Sequence, residues 1–197
     1  MIGNSKTVFS IIGANNHSIK DREINDYYAT DPIAIDVLLH EGGVNLSHNI
    51  WECSCGEGHL SKRLEELGYN VKSTDLVDRG YGEGGIDFLQ CNEKWDGDIL
   101  TNPPYKLSQE FVEHALELIT NNHKVFMFLK LTFLEGKKRR ALFDKHCLKT
   151  LYVSSSRIHC AKNGDFDTMK KEGSAVAYGW FEFEKGFCGD PVIKWIN

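Results

Sequence analysis

The chain has 197 residues, 41% of them hydrophobic and 26% charged, with a formal net charge of −5. That is the length of one domain, able to bury a core without disulfide or metal staples. Eighteen glycines, 4 prolines and 11% aromatic residues exclude a collagen-like or disordered composition. No apolar run approaches the roughly 18 residues that span a bilayer. The first residues, MIGNSKTVFSIIGANNHSIK, hold a short apolar stretch from Val8 to Ile12 and no cleavage site, so a soluble, cytoplasmic protein is expected.

Residues 1–25 show no clean period and are expected to form an N-terminal arm, with one domain over 26–197. A helix is expected over Pro32–His40, since Asp31 can cap it and Pro32 suits a first helical position. Asn49–Cys55 reads as a buried strand ending in a glycine turn, and His59–Leu67 as a helix closed by Gly68. Asn70–Leu76 is a second strand and Ile86–Leu89 a third, after the glycine-rich run 80–85. Trp95–Thr101 is a strand that the following Pro-Pro pair must stop. Ser108–Ile119 is an amphipathic helix with Phe111, Ala115, Leu116 and Ile119 on one face. Strands follow at Lys124–Lys130, Leu151–Ser154, Ala175–Phe183 and Val192–Trp195, with a basic helix over Lys137–His146. Alternating strands and helices predict one doubly wound α/β domain: a mostly parallel sheet covered on both faces. The last two strands, with no helix between them, suggest an antiparallel hairpin at one edge.

Charge is unevenly spread. Residues 1–123 carry a balance of −11, residues 124–173 one of +7, and residues 174–197 one of −1. The densest basic run is Lys137, Lys138, Arg139 and Arg140, which on composition alone is an ordinary solvated helix face. The six cysteines stand at irregular spacings, and Cys53-Ser-Cys55 lacks the spacer and second pair of a zinc site, so reduced thiols and no metal are expected.

In a doubly wound sheet, ligands bind beyond the C-terminal ends of the strands. After the first strand comes Glu52-Cys-Ser-Cys-Gly56-Glu-Gly58. The glycines let backbone approach a ligand, and Glu52 could take an ammonium group, though a plain tight turn explains the pair equally well. The dinucleotide fingerprint is not met, because Ser61 stands at the third glycine position. Asp75, after the second strand, could accept from ribose hydroxyls or simply form a turn. Asp87-Phe88 could meet an adenine edge and face, while a core aromatic is the plainer role for Phe88.

The strongest signal is Asn102-Pro103-Pro104-Tyr105, which holds half the chain's four prolines where a parallel strand should end. Prolines have no N–H, so nearby carbonyls are left free to accept. An Asn oxygen beside such a carbonyl can bind both hydrogens of one planar NH2 group, and Tyr105 can stack on the ring that carries it.

In this order, Asp26-Tyr-Tyr28-Ala-Thr30-Asp-Pro32, Glu52-x3-Gly56-x-Gly58, Asp75, Asp87-Phe88 and Asn102-Pro103-Pro104-Tyr105 resemble a class I S-adenosylmethionine-dependent methyltransferase. More narrowly they are similar to DNA adenine-N6 methyltransferases, whose motif reads (D/N/S)-P-P-(Y/F). Leu131-Thr-Phe-Leu-Glu-Gly136 looks like small phage-encoded relatives. The resemblance covers roughly residues 26–130. It departs from the family at Cys53 and Ser54, where Pro and Phe are common, and no separate target-recognition domain follows the motif.

The resemblance implies S-adenosylmethionine as cofactor, in a prokaryotic or phage-infected cell. Glu52, Gly56 and Gly58 would hold its methionine part, Asp75 the ribose, Asp87 and Phe88 the adenine, with Tyr28 and Thr30 closing over it. Asn102, Pro103, Pro104 and Tyr105 would form the catalytic site. Lys137, Lys138, Arg139, Arg140 and Lys162, the last in the loop His159–Gly173, become candidate contacts to nucleic acid, DNA first. His17 to Lys20 and Asp26 to Tyr28 could border the substrate. An RNA base, a protein glutamine amide, or a cofactor-binding module without catalysis are the alternatives, since a fold alone does not choose among substrates.

Overall fold

The computed structural model describes residues 28–145, 148–161, 166 and 176–197. Its frame is a seven-stranded sheet built from β2 (Asn49–Glu52), β3 (Asn70–Ser73), β4 (Asp98–Thr101), β5 (Lys124–Lys130), β6 (Leu148–Ser154), β8 (Tyr178–Glu184) and β9 (Val192–Ile196), in the order β3-β2-β4-β5-β8-β6-β9. A separate two-stranded sheet pairs β1 (Ala29–Thr30) with β7 (Cys160–Ala161). The helices are α1 (Ile33–His40), α2 (His59–Glu66), α3 (Ser108–Leu118) and α4 (Lys137–Lys145).

Period-two burial explains the layers. Ile50, Leu100, Phe126 and Phe128 face α1 and α2, where Ala34, Ile35, Leu38, Leu60 and Leu64 meet them. Their neighbours Trp51, Ile99, Val125 and Met127 face the other way, onto Phe111, Val112, Ala115 and Leu142 of α3 and α4. One polar tie crosses the first layer: the Trp180 indole N–H donates to the Ala34 carbonyl at 2.9 Å. At the head of α1, Asp31 accepts from the Ile33 N–H at 3.1 Å.

The doubly wound, mostly parallel architecture is as expected, with two corrections. Residues 86–89 form no strand. Asp87 accepts from the Leu89 N–H at 3.1 Å and starts a 3-10 turn over Phe88–Gln90. The run before it folds back on β3 instead, with the Glu83 N–H donating to the Ser73 carbonyl at 2.9 Å. A Cβ on Gly82 would stand 2.6 Å from that same carbonyl, so only glycine fits there.

The second correction concerns the expected edge hairpin. β8 is antiparallel to both β5 and β6 and lies between them, inside the sheet, while β9 takes the edge parallel to β6. Burial is the reason. Residues Tyr178 to Phe183 are buried on both faces, as an interior strand requires, whereas the first four residues of β9 are exposed.

Candidate active site

β2 leads by α2 to β3 on one side, while β4 lies on the other, so strand order reverses between β2 and β4. Such a reversal opens a crevice at the C-terminal strand ends. A cleft of about 790 Å3 lies there, receiving Glu52 from the end of β2, Ser54 from beyond it, Asp75 from beyond β3, and Asn102 and Pro104 from beyond β4.

Asn102 is clamped from two sides. Its Nδ2 donates to the Tyr28 carbonyl at 3.1 Å and to Thr30 Oγ1 at 2.9 Å, while its own backbone carbonyl accepts from Ser54 Oγ at 3.1 Å. Ser54 also bonds Thr101 Oγ1 at 2.6 Å, joining the ends of β2 and β4. The Asn102 Oδ1 atom is buried with no partner. A buried, unpaired acceptor is costly unless a ligand completes it.

Glu52 is 2% exposed and accepts from Ser61 Oγ, which in turn accepts from Ser73 Oγ at 2.8 Å. Burial pushes its carboxyl up to about 8, with the Asp75 and Glu65 carboxylates adding to the rise. An acid in that condition fits a cationic ligand group. Asp75 lines the cleft but is also a brace: its two oxygens accept from the Gly56 N–H at 2.8 Å and the Val77 N–H at 2.9 Å. The ligand and turn roles therefore coexist in it, since each carboxylate oxygen can accept more than once.

The other predicted residues separate into groups. Tyr28, Thr30, Asp87 and Phe88 line the same cleft, though Phe88 is 2% exposed and packs edge-on against Trp51 at 5.2 Å between ring centres, as a core aromatic does. Gly56 and Gly58 are buried and do not line the cleft; a Cβ on Gly58 would stand 2.2 Å from the Tyr81 ring, which is what demands glycine there. Tyr105 lies outside the cleft, stacked on Tyr28 at 5.8 Å, with the Lys130 ammonium 4.1 Å from its ring centre and Tyr178 at 6.0 Å. Burial, with Cys160 and Tyr178 beside it, pushes its phenol far above the ordinary value.

Tyr105 also begins a second groove of about 830 Å3, whose walls carry Lys106, Lys137, Lys138 and Arg139. Lys137 and Lys138 are exposed there. Arg139 is engaged otherwise, donating to the carbonyls of Thr132, Phe133 and Glu135 at 3.0, 3.2 and 2.7 Å. Arg140 is off the groove and pairs with Asp144 at 2.8 Å. Lys162, most of the loop 159–173, and residues His17 to Lys20 lie outside the described residues.

Sequence reasoning missed His59, Leu76, Val77, Arg79, Leu107 and Phe111, all of which line the cleft. Their signal is position: Leu76 and Val77 follow β3, and Leu107 follows β4, within a few residues of each strand end. Burial lowers the His59 imidazole below its ordinary value. Among the described residues no group of His, Cys, Asp and Glu is placed to hold a metal, and no helix is long and apolar enough to cross a membrane.

No protein-family profile and no curated protein sequence matches the chain. Solved structures do. A candidate class I S-adenosylmethionine-dependent methyltransferase from Listeria monocytogenes aligns at 12% identity over 96% of this chain and 71% of that one, with a TM-score of 0.58. The modification subunit of a candidate type I restriction enzyme from Vibrio vulnificus aligns at 10% identity over 99% and 53%, TM-score 0.55. A candidate hemolysin from Lactococcus lactis aligns at 10% identity over 83% and 91%, TM-score 0.60. The shared property is the fold, Rossmann-like with a mostly parallel sheet.

Proposed function

We propose that this chain is an S-adenosylmethionine-dependent N-methyltransferase whose acceptor is the exocyclic N6 amine of adenine in DNA, working in a prokaryotic or phage-infected cytoplasm. The observation that carries the reading is Asn102: its nitrogen is fully engaged, and its oxygen is buried and unpartnered at the switch-point cleft. The Asn102-Pro103-Pro104-Tyr105 motif supports adenine as the acceptor, and the lysines beside Tyr105 support a polyanion.

The cleft suits the cofactor. Glu52 would take the ammonium of its methionine part, Asp75 its ribose, and Asp87 with the apolar walls of Leu76, Val77 and Leu107 its adenine. When bound, S-adenosylmethionine supplies an electrophilic methyl carbon on a sulfonium. The chain's part is to make a poor nucleophile attack. The adenine amine lone pair is delocalised into the ring. Asn102 Oδ1 and the Pro103 carbonyl, accepting one N–H each, draw the nitrogen toward tetrahedral geometry and localise that pair. Bonds that strengthen as the nitrogen pyramidalises favour the transition state over the ground state, and holding nitrogen and methyl carbon in line supplies the rest. Glu52, Asp75 and Asp87 would hold S-adenosylmethionine as it gives up the methyl and keeps the C–S electron pair. The surplus proton then leaves the methylated nitrogen for water, with no strong base required. In duplex DNA the adenine must first leave the stack, at a cost of a few kcal/mol.

The test is methyl transfer from labelled S-adenosylmethionine to unmethylated DNA, RNA and bulk protein, with products identified by mass spectrometry and Asn102→Ala as control. N6-methyladenine in DNA, absent with the variant, is the expected result. Label in RNA or protein alone refutes the DNA assignment. Cofactor binding without transfer to any acceptor refutes the enzyme reading.

A further inference from the structure

We infer that Thr30 is a positioning residue for methyl transfer, setting which end of the Asn102 amide faces the acceptor. This rests on the reading of Asn102 above and assigns Thr30 a task distinct from covering the cofactor. An asparagine can present its oxygen or its NH2 to a cleft, and only the oxygen can accept an N–H from an amine. The choice belongs to whatever holds the other end.

Two oxygens hold it, with the Cys160 sulfur a longer, weaker third acceptor at 3.9 Å. The Tyr28 carbonyl, 3.1 Å from Asn102 Nδ2, can only accept. Thr30 Oγ1, at 2.9 Å, could act either way, so its own hydrogen needs a destination. Cys160 supplies one. Its sulfur lies 3.9 Å from Thr30 Oγ1 and 3.9 Å from Asn102 Nδ2. It remains a protonated thiol, because burial pushes it up to about 11. With the Thr30 hydrogen directed at sulfur, the Oγ1 lone pair faces Asn102 and completes the cage around the NH2.

β1 and β7 build the cage. Thr30 pairs with Cys160 and Ala29 with Ala161. The Asp31 N–H adds a bond to the His159 carbonyl at 3.0 Å. Thr30 and Cys160 are 3% and 4% exposed, so water does not compete for these contacts. The small sheet, remote in sequence from residue 102, thereby aims the oxygen.

Thr30→Val keeps the shape and removes the acceptor, and Thr30→Ser restores it. Two readouts separate this inference from the reading it rests on. The first needs no substrate: the Asn102 side-chain NH2 protons, assigned by their disappearance in Asn102→Ala, are followed by 15N NMR. In the wild-type chain they exchange slowly with solvent; Thr30→Val speeds exchange about tenfold and Thr30→Ser returns it to within about twofold. The second is kinetic: Thr30→Val lowers kcat about tenfold while cofactor Kd stays within about twofold, and Thr30→Ser recovers kcat. Unchanged NH2 exchange in Thr30→Val overturns the inference whether or not a substrate is found. So does a loss confined to cofactor Kd, which would make Thr30 a cofactor contact only.

Discussion

Glu52→Gln is the most informative perturbation of stability, because it converts a buried ionisable acid into a neutral group of the same shape. The carboxyl is 2% exposed and rises from an ordinary 4.5 to about 8. Between these values the folded state holds a proton that the unfolded state has lost. Stability from this group is therefore intact below pH 4.5 and drains away as pH rises toward 8. At 1.36 kcal/mol per unit, the loss by pH 8 is about 5 kcal/mol. The Gln variant has no such proton and no such slope. Urea melts at pH 5, 6.5 and 8, taken without cofactor, should show the variant gaining on the wild type at each step. The advantage should approach several kcal/mol by pH 8, after any constant offset from an unsatisfied amide hydrogen. Other groups titrate in this range, but they act alike in both chains and cancel in the difference. Parallel stability curves for the two chains would refute the argument that Glu52 is buried without a compensating charge.

On the proposed reading Asn102→Ala should lower methyl transfer by at least about a hundredfold and change cofactor Kd far less by calorimetry, since its unpaired oxygen is assigned to the acceptor. Asn102→Asp should also fail here, because it sets an oxygen against the Tyr28 carbonyl now 3.1 Å from Nδ2; wild-type kcat with Asp would refute that. Gly58→Ala should cost about 2–4 kcal/mol by urea melt, from positive φ and overlap with the Tyr81 ring, and the double change with Tyr81→Ala should recover the overlap part. Lys137→Glu with Lys138→Glu should weaken oligonucleotide binding by fluorescence anisotropy and reduce the slope of log K against log salt by about 2. Arg140→Glu, on a residue off the groove and paired with Asp144, should change that slope much less.

Where a residue's role depends on local backbone chemistry, the sequence was readable. Pro103 and Pro104 end the ladder after β4, because neither has an N–H to give it. The strand Lys124–Lys130 and the glycine after α2 fall where apolar periodicity and the positive-φ stop at Gly68 require. What was illegible depends on long-range partners. Nothing local to residues 86–89 tells that β3 would be capped by its own returning loop, leaving Phe88 to turn inward onto Trp51. Nor does adjacency of β8 and β9 in sequence reveal that β8 inserts between β5 and β6. That depends on two-sided burial of its tyrosine, tryptophan and phenylalanines. Gly58 shows the same limit in the site itself: the glycine was visible, but its reason, Tyr81, stands 23 positions away. The three carbonyls that Arg139 Nη1 meets are likewise invisible in the basic run that holds it.

The two openings that meet at residues 102–105 carry opposite charge, and this bears on how one small domain could handle two charged ligands. The cleft holds the carboxylates Asp75 and Asp87 against the single cation Arg79, with Glu52 protonated until a cation meets it, and the groove holds Lys106, Lys137, Lys138 and Arg139 against Glu110 and Glu135. A sulfonium with an attached ammonium is attracted to the first and repelled from the second. A phosphate backbone is sorted the other way. Asn102 and Pro104 belong to the cleft wall and Tyr105 to the groove wall, so the Pro-Pro bend carries the chain through the boundary between the two fields. On the proposed reading, a neutral planar base can cross that boundary while its phosphates stay outside. On that reading an overall charge of −5 does not oppose a polyanion, because only the groove side, where the +7 segment contributes Lys137 and Lys138, needs to face it. The local arrangement of charge decides this, and the net charge does not.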